Sequence, residues 1–157
     1  MPTVTTRLLR FSKQFERFYE RQFVPLLERT ALTMREIHVL LFLANNPGYD
    51  TARDVAEYRG LAKSQVSQAV ELLAARGLLR RIPDGGDRRM VRLAITGRGM
   101  PLVREAQAVQ SACGRRLLAG LSPEEEPQFR RQASRPRRRR TGVLQQVLAV
   151  RRAVFHL

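Results

Sequence analysis

Apolar residues return every three or four positions through Leu8, Phe11, Phe15, Phe18, Tyr19 and Leu26, which predicts a long amphipathic first helix. Pro25 has no amide proton to give, so it is expected to end or bend that helix. A second helical run, "TMREIHVLLFLANNPG", opens on Thr33 with Glu36 three residues on, the sequence form of a capping box, and closes at Asn45 to Gly48. "TARDVAEYRG" repeats the signal with Thr51 as cap, Asp54 as its partner and Gly60 as stop. "LAKSQVSQAVELLAARG" is a longer helix with Val66, Val70 and Leu73 on one face and a stop at Gly77. "LLRRI" and "VRLAI" then predict two short strands joined by a charged turn at 83–89. Thr96 is expected to cap another long helix running toward Gly120, striped by Leu102, Ala106, Val109, Cys113 and Leu117. "LSPEEE" is a further helix start, with Ser122 before Pro123 and three glutamates suited to the positive end of the helix dipole.

Two helices separated by a four-residue turn form a helix-turn-helix, and a hairpin directly behind them is a wing. The expected fold is mainly α with a small β-hairpin wing, a winged helix-turn-helix with long dimerisation helices. It divides into an N-terminal dimerisation helix over 1–32, a DNA-binding lobe over 33–99, and C-terminal dimerisation helices over 100–157 with an Arg-rich segment at 130–140. A charged wing tip beside the second helix would reach phosphates or the minor groove flanking the recognised site, which gives the "RRIPDGGDRRM" turn a purpose beyond solvation.

Charge sharpens this picture. The 157 residues carry 29 basic and 14 acidic side chains, a formal +15, so an anionic partner is expected, nucleic acid ahead of a membrane surface. Only Lys13 and Lys63 are lysines. Residues 127–157 hold nine arginines and no acid, so the tail is a separate problem from the body. One cysteine excludes an internal disulfide framework and fits a reducing compartment. With no apolar signal core and no run approaching the ~18 apolar residues of a membrane span, a cytoplasmic protein without membrane partners is expected.

Lys63, Ser64, Gln65, Ser67 and Gln68 open the second helix of the pair, where contact with bases and phosphates needs polar side chains. Glutamine can pair bidentately with adenine, serine bonds either kind of base, and lysine favours guanine or phosphate. Thr51 and Arg53 at the start of the first helix, and Arg88 and Arg89 on the wing, complete the expected DNA-contacting set. Arg80, Arg81 and Arg92 lie on the strands, either as phosphate clamps or as the exposed half of the alternation. Asp87 is expected to hold an arginine in place.

At this point the chain resembles the MarR family of winged-helix transcription regulators. The resemblance spans roughly residues 5–126 and is strongest in "DVAEYRGLAKSQVSQAVELLAARGLLRRIPDGGDRRMVRLAITGRG". The family's wing pattern is met by Asp84, Asp87, Arg88, Arg89, Ile95, Thr96 and Gly99. It implies a homodimer with intertwined first and last helices on a pseudo-palindromic operator in double-stranded DNA. Most members are repressors released by a small aromatic or phenolic effector, or by cysteine oxidation. Three departures stand out: Gly86 where many members carry a wing-tip arginine, Ala62 where a serine or threonine commonly caps the recognition helix, and a loss of pattern after Glu126.

Phe11, Phe15, Phe18 and His38 are the candidates for an effector pocket, set against the plainer reading of dimer core and, for His38, a core-edge histidine. Cys113 lies on an apolar stripe, while the family's peroxide-sensing cysteine sits in the first helix, so a packed structural thiol is expected. Two histidines on different segments, no Cys/His set with metal spacing and no glycine-rich phosphate loop leave neither an enzyme, a metal site nor a cofactor to expect. The rival to a sequence-specific regulator is a basic structural or RNA-binding protein using the winged helix as a non-specific scaffold. The tail is read three ways. It is a basic linker with a terminal helix, through Val143, Leu144, Val147, Leu148, Val154 and Phe155, packed on the dimer; a solvated arm; or the product of a reading-frame change.

Overall fold

The computed structural model describes residues 1, 3–87, 89–119 and 121–134. Its elements, in order, are α1 (Val4–Thr30), α2 (Met34–Asn45), α3 (Ala52–Arg59), α4 (Lys63–Ala75), β1 (Leu79–Pro83), β2 (Val91–Ile95), α5 (Met100–Leu118) and α6 (Glu125–Ser134). This is the mainly helical, hairpin-winged architecture expected from the pattern. The expected terminal helix and arginine run beyond Ser134, and Arg88 in the wing, lie outside the described residues.

The expectation for Pro25 is corrected in part: α1 does not end there but runs five residues further, to Thr30. An interior proline costs a helix ~3 kcal/mol. Phe23 and Leu26 flank it and are buried, and full burial of each such side chain returns ~1.5–3 kcal/mol. The two together outweigh the lost hydrogen bond.

Contacts divide the chain into two compact units, Leu26–Ala108 and Met1–Pro25 with the described residues from Val109 onward. In the first, α2, α3, α4 and the hairpin enclose a core of Ile37, Val39, Leu40, Val55, Val66 and Leu73, each fully withdrawn from water. The caps fall where the sequence places them. The Thr33 amide donates to Glu36 Oε2 at 2.7 Å, and Thr51 and Asp54 bond reciprocally, Thr51 N to Asp54 Oδ2 at 3.0 Å and Asp54 N to Thr51 Oγ1 at 3.1 Å. β1 and β2 pair antiparallel from Leu79 opposite Ile95 to Pro83 opposite Val91. The residue before α3 extends this ladder, since Leu93 N donates to Asp50 O at 2.7 Å and Thr51 bridges Arg92.

The junction of recognition helix, hairpin and α5 is closed by one threonine. Thr96 Oγ1 donates to Gly77 O at 2.6 Å and accepts from Gly99 N at 3.1 Å, while Thr96 N donates to Leu78 O at 3.1 Å. Gly77 takes φ +67°, the left-handed conformation that ends α4.

In the other unit, aromatic rings follow one another along α1. Phe11 and Phe15 stack at 6.4 Å, Phe15 and Tyr19 lie 6.2 Å apart, and Tyr19 and Phe23 4.9 Å. Gln110 of α5 is buried and donates to the Tyr19 hydroxyl at 3.2 Å. Cys113 is buried on the same helix, as expected of a packed thiol, and desolvation pushes its pKa up against the opposing pull of Arg116. Arg116 itself lies over the Phe18 ring at 5.7 Å. Ser122 and Glu125 cap α6, with Ser122 N donating to Glu125 Oε2 at 2.8 Å.

Candidate nucleic-acid interface

Helix α4 separates cleanly into two faces. Val66, Ala69, Val70 and Leu73 are buried, while Lys63, Ser64, Ser67 and Gln68 are exposed together on its first two turns. The buried set recurs at three- and four-residue spacing, so the same periodicity that anchors the helix turns the polar set outward. Unpaired amides at a helix N-terminus also attract phosphate, and Lys63 stands at that end.

Gln65 behaves differently from its neighbours. Ala62 occupies the N-cap position and has no side-chain oxygen, so Gln65 reaches back and accepts the Ala62 amide on Oε1 at 3.1 Å. Its amide oxygen therefore serves the helix rather than standing free. Thr51 is occupied in the same way: besides its cap bonds, its hydroxyl donates to Asp54 Oδ2 at 2.6 Å. Arg53, two residues into α3, is exposed.

The wing is held by one arginine between two carboxylates. Arg92 Nε donates to Asp84 Oδ1 at 2.6 Å and its Nη1 to Asp50 Oδ1 at 2.9 Å. The second oxygen of Asp84 accepts the amides of Gly86 and Asp87 at 3.1 and 3.0 Å, which closes the glycine turn. The Arg92 guanidinium, followed by those two amides, holds the Asp84 carboxyl below the usual carboxylate range, and the Arg92 pKa rises in return. Among the described residues, Asp84 and Asp50 are the carboxylates that hold a wing arginine, while Arg88 lies outside them. Asp87 accepts the Arg89 backbone amide at 2.9 Å.

Asp50 and Asp84 were missed as a pair. Asp84 before Gly85–Gly86 has the form of a side-chain-closed turn, but Asp50 stands 42 residues from Arg92 and no local pattern connects them. With Arg92 committed, the exposed strand cations are Arg80 and Arg81, which alternate onto opposite faces of β1; Arg89 is exposed at the turn.

The effector-pocket candidates fall in different units. Phe11, Phe15 and Phe18 line up along α1, with Phe15 buried, Phe18 half-buried and Phe11 half exposed. His38 is half-buried on α2. Desolvation, aided by the Arg59 charge, lowers its pKa to about 3, so it is neutral at physiological pH. Among the described residues no His, Cys, Asp or Glu side chains gather as a metal cluster, and no helix is long and apolar enough to cross a membrane.

Comparison with known proteins agrees with this geometry. The profile of the MarR family matches residues 32–90, the stretch from the start of α2 to the wing tip. No curated protein matches the chain. Among solved structures, CouR from Rhodococcus jostii RHA1, bound to p-coumaroyl-CoA, is 29% identical over 82% of this chain and 87% of its own, with a TM-score of 0.66. BpsR of Bordetella bronchiseptica, whose DNA binding is regulated by 6-hydroxynicotinic acid, is 27% identical over 81% and 93%, with a TM-score of 0.61. The S. aureus MepR–DNA complex shares the fold at 22% identity over 84% and 94%, with a TM-score of 0.65. A helix-turn-helix with a stitched wing, matched by the family profile over residues 32–90, makes this lobe similar to that of the MarR family of winged-helix DNA-binding transcription regulators.

Proposed function

We propose that this regulator is a cytoplasmic homodimer that lays α4 of each subunit in successive major grooves of a pseudo-palindromic operator and represses by occupying it. The exposed row of Lys63, Ser64, Ser67 and Gln68, backed by a rigid apolar face and flanked by a fixed wing, carries this reading. Gln68 is the base reader, Ser64 and Ser67 bond bases or phosphate, and Lys63, Arg53 and the wing's Arg89 and Arg88 neutralise phosphates. In this reading Thr51 positions α3, and Gln65 shares its amide between the cap and the groove. Leu9, Phe11 and Val24 remain exposed along α1, which supports a second copy packing there, with residues 1–32 and 100–157 as the dimerisation parts. CouR, bound to p-coumaroyl-CoA, and the ligand-regulated BpsR support release by an aromatic ligand, with Phe11, Phe15 and Phe18 along α1 as its candidate contacts.

A DNase footprint on the protein's own upstream region, followed by titration of the protected duplex, tests the proposal. The expected result is protection of two half-sites ~10 bp apart and a preference of ~10³ or more over random duplex. Binding that is salt-sensitive but blind to sequence would instead identify a non-specific scaffold. A monomer that holds one half-site as tightly as the full site would remove the dimer.

A further inference from the structure

Of the 13 residues of α4, all of them described, Leu72 is the large apolar side chain left in solvent, 53% exposed. The helix buries Val66, Ala69, Val70 and Leu73, so Leu72 is surplus to the core. Four residues turn a helix by ~400°, so Ser64, Gln68 and Leu72 form one stripe, each ~40° round from the last. Gln65, seven residues back, lies within ~20° of Leu72. Leu72 therefore extends the exposed polar row beyond Gln68, on the flank that Gln65 shares.

The row changes chemistry along its length. Lys63 at the first turn suits phosphate, and Ser64, Ser67 and Gln68 suit polar edges. Glu71, exposed beside Leu72, sets a negative charge where a phosphate would be repelled. That half of α4 suits base edges and not the DNA backbone. On the base edges of the major groove, the apolar feature is the C5 methyl group of thymine. A helical side chain tilts toward the helix N-terminus, so Leu72 leans toward Gln68. Four residues rise ~6 Å and successive bases ~3.4 Å, which places contacts from the two side chains no more than about two base pairs apart. A lone exposed leucine is ordinary on a protein surface; this one stands on the face that the proposed complex takes out of water.

Resting on the operator reading above, we propose that Leu72 reads the C5 methyl group of a pyrimidine, thymine or 5-methylcytosine, within about two base pairs of the base that Gln68 contacts. Gln68 discriminates through hydrogen bonds; Leu72 adds an apolar discrimination, because the methyl group and the leucine leave water together. Burying one group of that size is worth about fourfold in affinity. The half-site therefore pairs an adenine under Gln68 with a neighbouring thymine. Methylation of a cytosine placed there strengthens binding by the same factor.

Selection from a randomised duplex library gives the preferred half-site, and each of its thymines is then replaced in turn by deoxyuridine, which removes only the methyl group. One thymine, within about two base pairs of the position where Gln68→Ala loses discrimination, is expected to lose about fourfold in affinity on that replacement. At the same place 5-methylcytosine is expected to exceed cytosine by a similar factor, which separates the methyl group from the rest of the base edge. Leu72→Ala is expected to abolish both differences, and Leu72→Met, still apolar, to retain them in part. Melting temperatures of both variants check the fold, which an exposed side chain does not hold together. Sequence-blind selection would remove the operator reading and this contact with it. Specific binding with no uracil-sensitive thymine in that span, or a sensitivity that survives Leu72→Ala, would overturn the contact alone.

Discussion

Replacing Gly99 by alanine is expected to destabilise the protein by about 2–4 kcal/mol, although it adds one methyl group. A Cβ built at Gly99 would stand 2.3 Å from the Leu78 carbonyl oxygen, 3.1 Å from Ile95 Cγ2 and 3.2 Å from the Leu78 carbonyl carbon. Contacts under 3.0 Å are essentially unknown for real Cβ atoms, so backbone has to move by about 0.7 Å. That same Leu78 oxygen accepts the Thr96 amide at 3.1 Å, so it cannot retreat without loosening the junction bond. Overpacking of this kind costs ~1–3 kcal/mol, and a weakened buried hydrogen bond adds ~1 kcal/mol. Gly97→Ala is the matched control. Gly97 has nothing within 4 Å of its Cβ position and no positive φ, so the change should fall within about 0.5 kcal/mol of the parent. Urea unfolding followed by circular dichroism separates the two, with equal slopes confirming that only stability has changed. The Gly99 variant should also melt ~5–15 °C lower at this chain length. If the two variants lie within 1 kcal/mol of each other, the close approach at Leu78 does not constrain the fold and the reasoning is wrong.

Four further outcomes follow from the site and the core. Gln68→Ala should change preference among bases by ~1–3 kcal/mol at one position, read by competition binding, whereas Gln65→Ala should chiefly loosen the start of α4 at ~0.5–1 kcal/mol; the opposite assignment of effects would reverse their roles. Asp84→Asn removes the charge that fixes Arg92, so affinity for all duplexes should drop a few-fold with base preference intact, and unchanged affinity would show that the wing needs no such tie. His38 is neutral in the folded state and protonates near 6.5 once unfolded, so its contribution is fully present above pH 6.5 and is lost as pH falls toward about 3. Stability should therefore decline by up to ~1.4 kcal/mol per pH unit in that window, and unfolding titrations of His38→Gln should show a shallower slope. Cys113, buried with a raised pKa, should resist iodoacetamide at pH 7.5 until denaturant is added, and rapid alkylation of the native protein would contradict its placement.

The helices and strands were legible because each rests on a short-range signal. Thr33 with Glu36 and Thr51 with Asp54 are three residues apart, and the stop at Gly77 needs only its own backbone angle. The face of α4 was legible for the same reason: Val66, Val70 and Leu73 determine which side is buried, and the polar residues follow. What could not be read were commitments made across long separations. Arg92 looks like a strand cation until Asp50 is brought to it by the Leu93–Asp50 backbone bond. Gly99 fits a family spacing in the sequence, yet its reason is a carbonyl 21 residues earlier. Pro25 was misjudged because a propensity rule saw the missing amide and not the burial of Phe23 and Leu26 around it. Gln65 was read as a free base reader because the cost of Ala62 at the cap falls on a different residue.

That last substitution has a consequence for how operator preference is set. The Gln65 oxygen is bonded to the Ala62 amide in the free protein, so a base that engages it competes with the order of the helix's own first turn. In the proposed complex, recognition through Gln65 would then carry a built-in penalty, and the preference it expresses would be smaller than its chemistry allows. A serine, threonine or aspartate at position 62 would satisfy the first turn from its own side chain and release Gln65 to the groove. On that proposal position 62 would act as a remote gain control, a residue away from the bases setting how strongly Gln65 reads one.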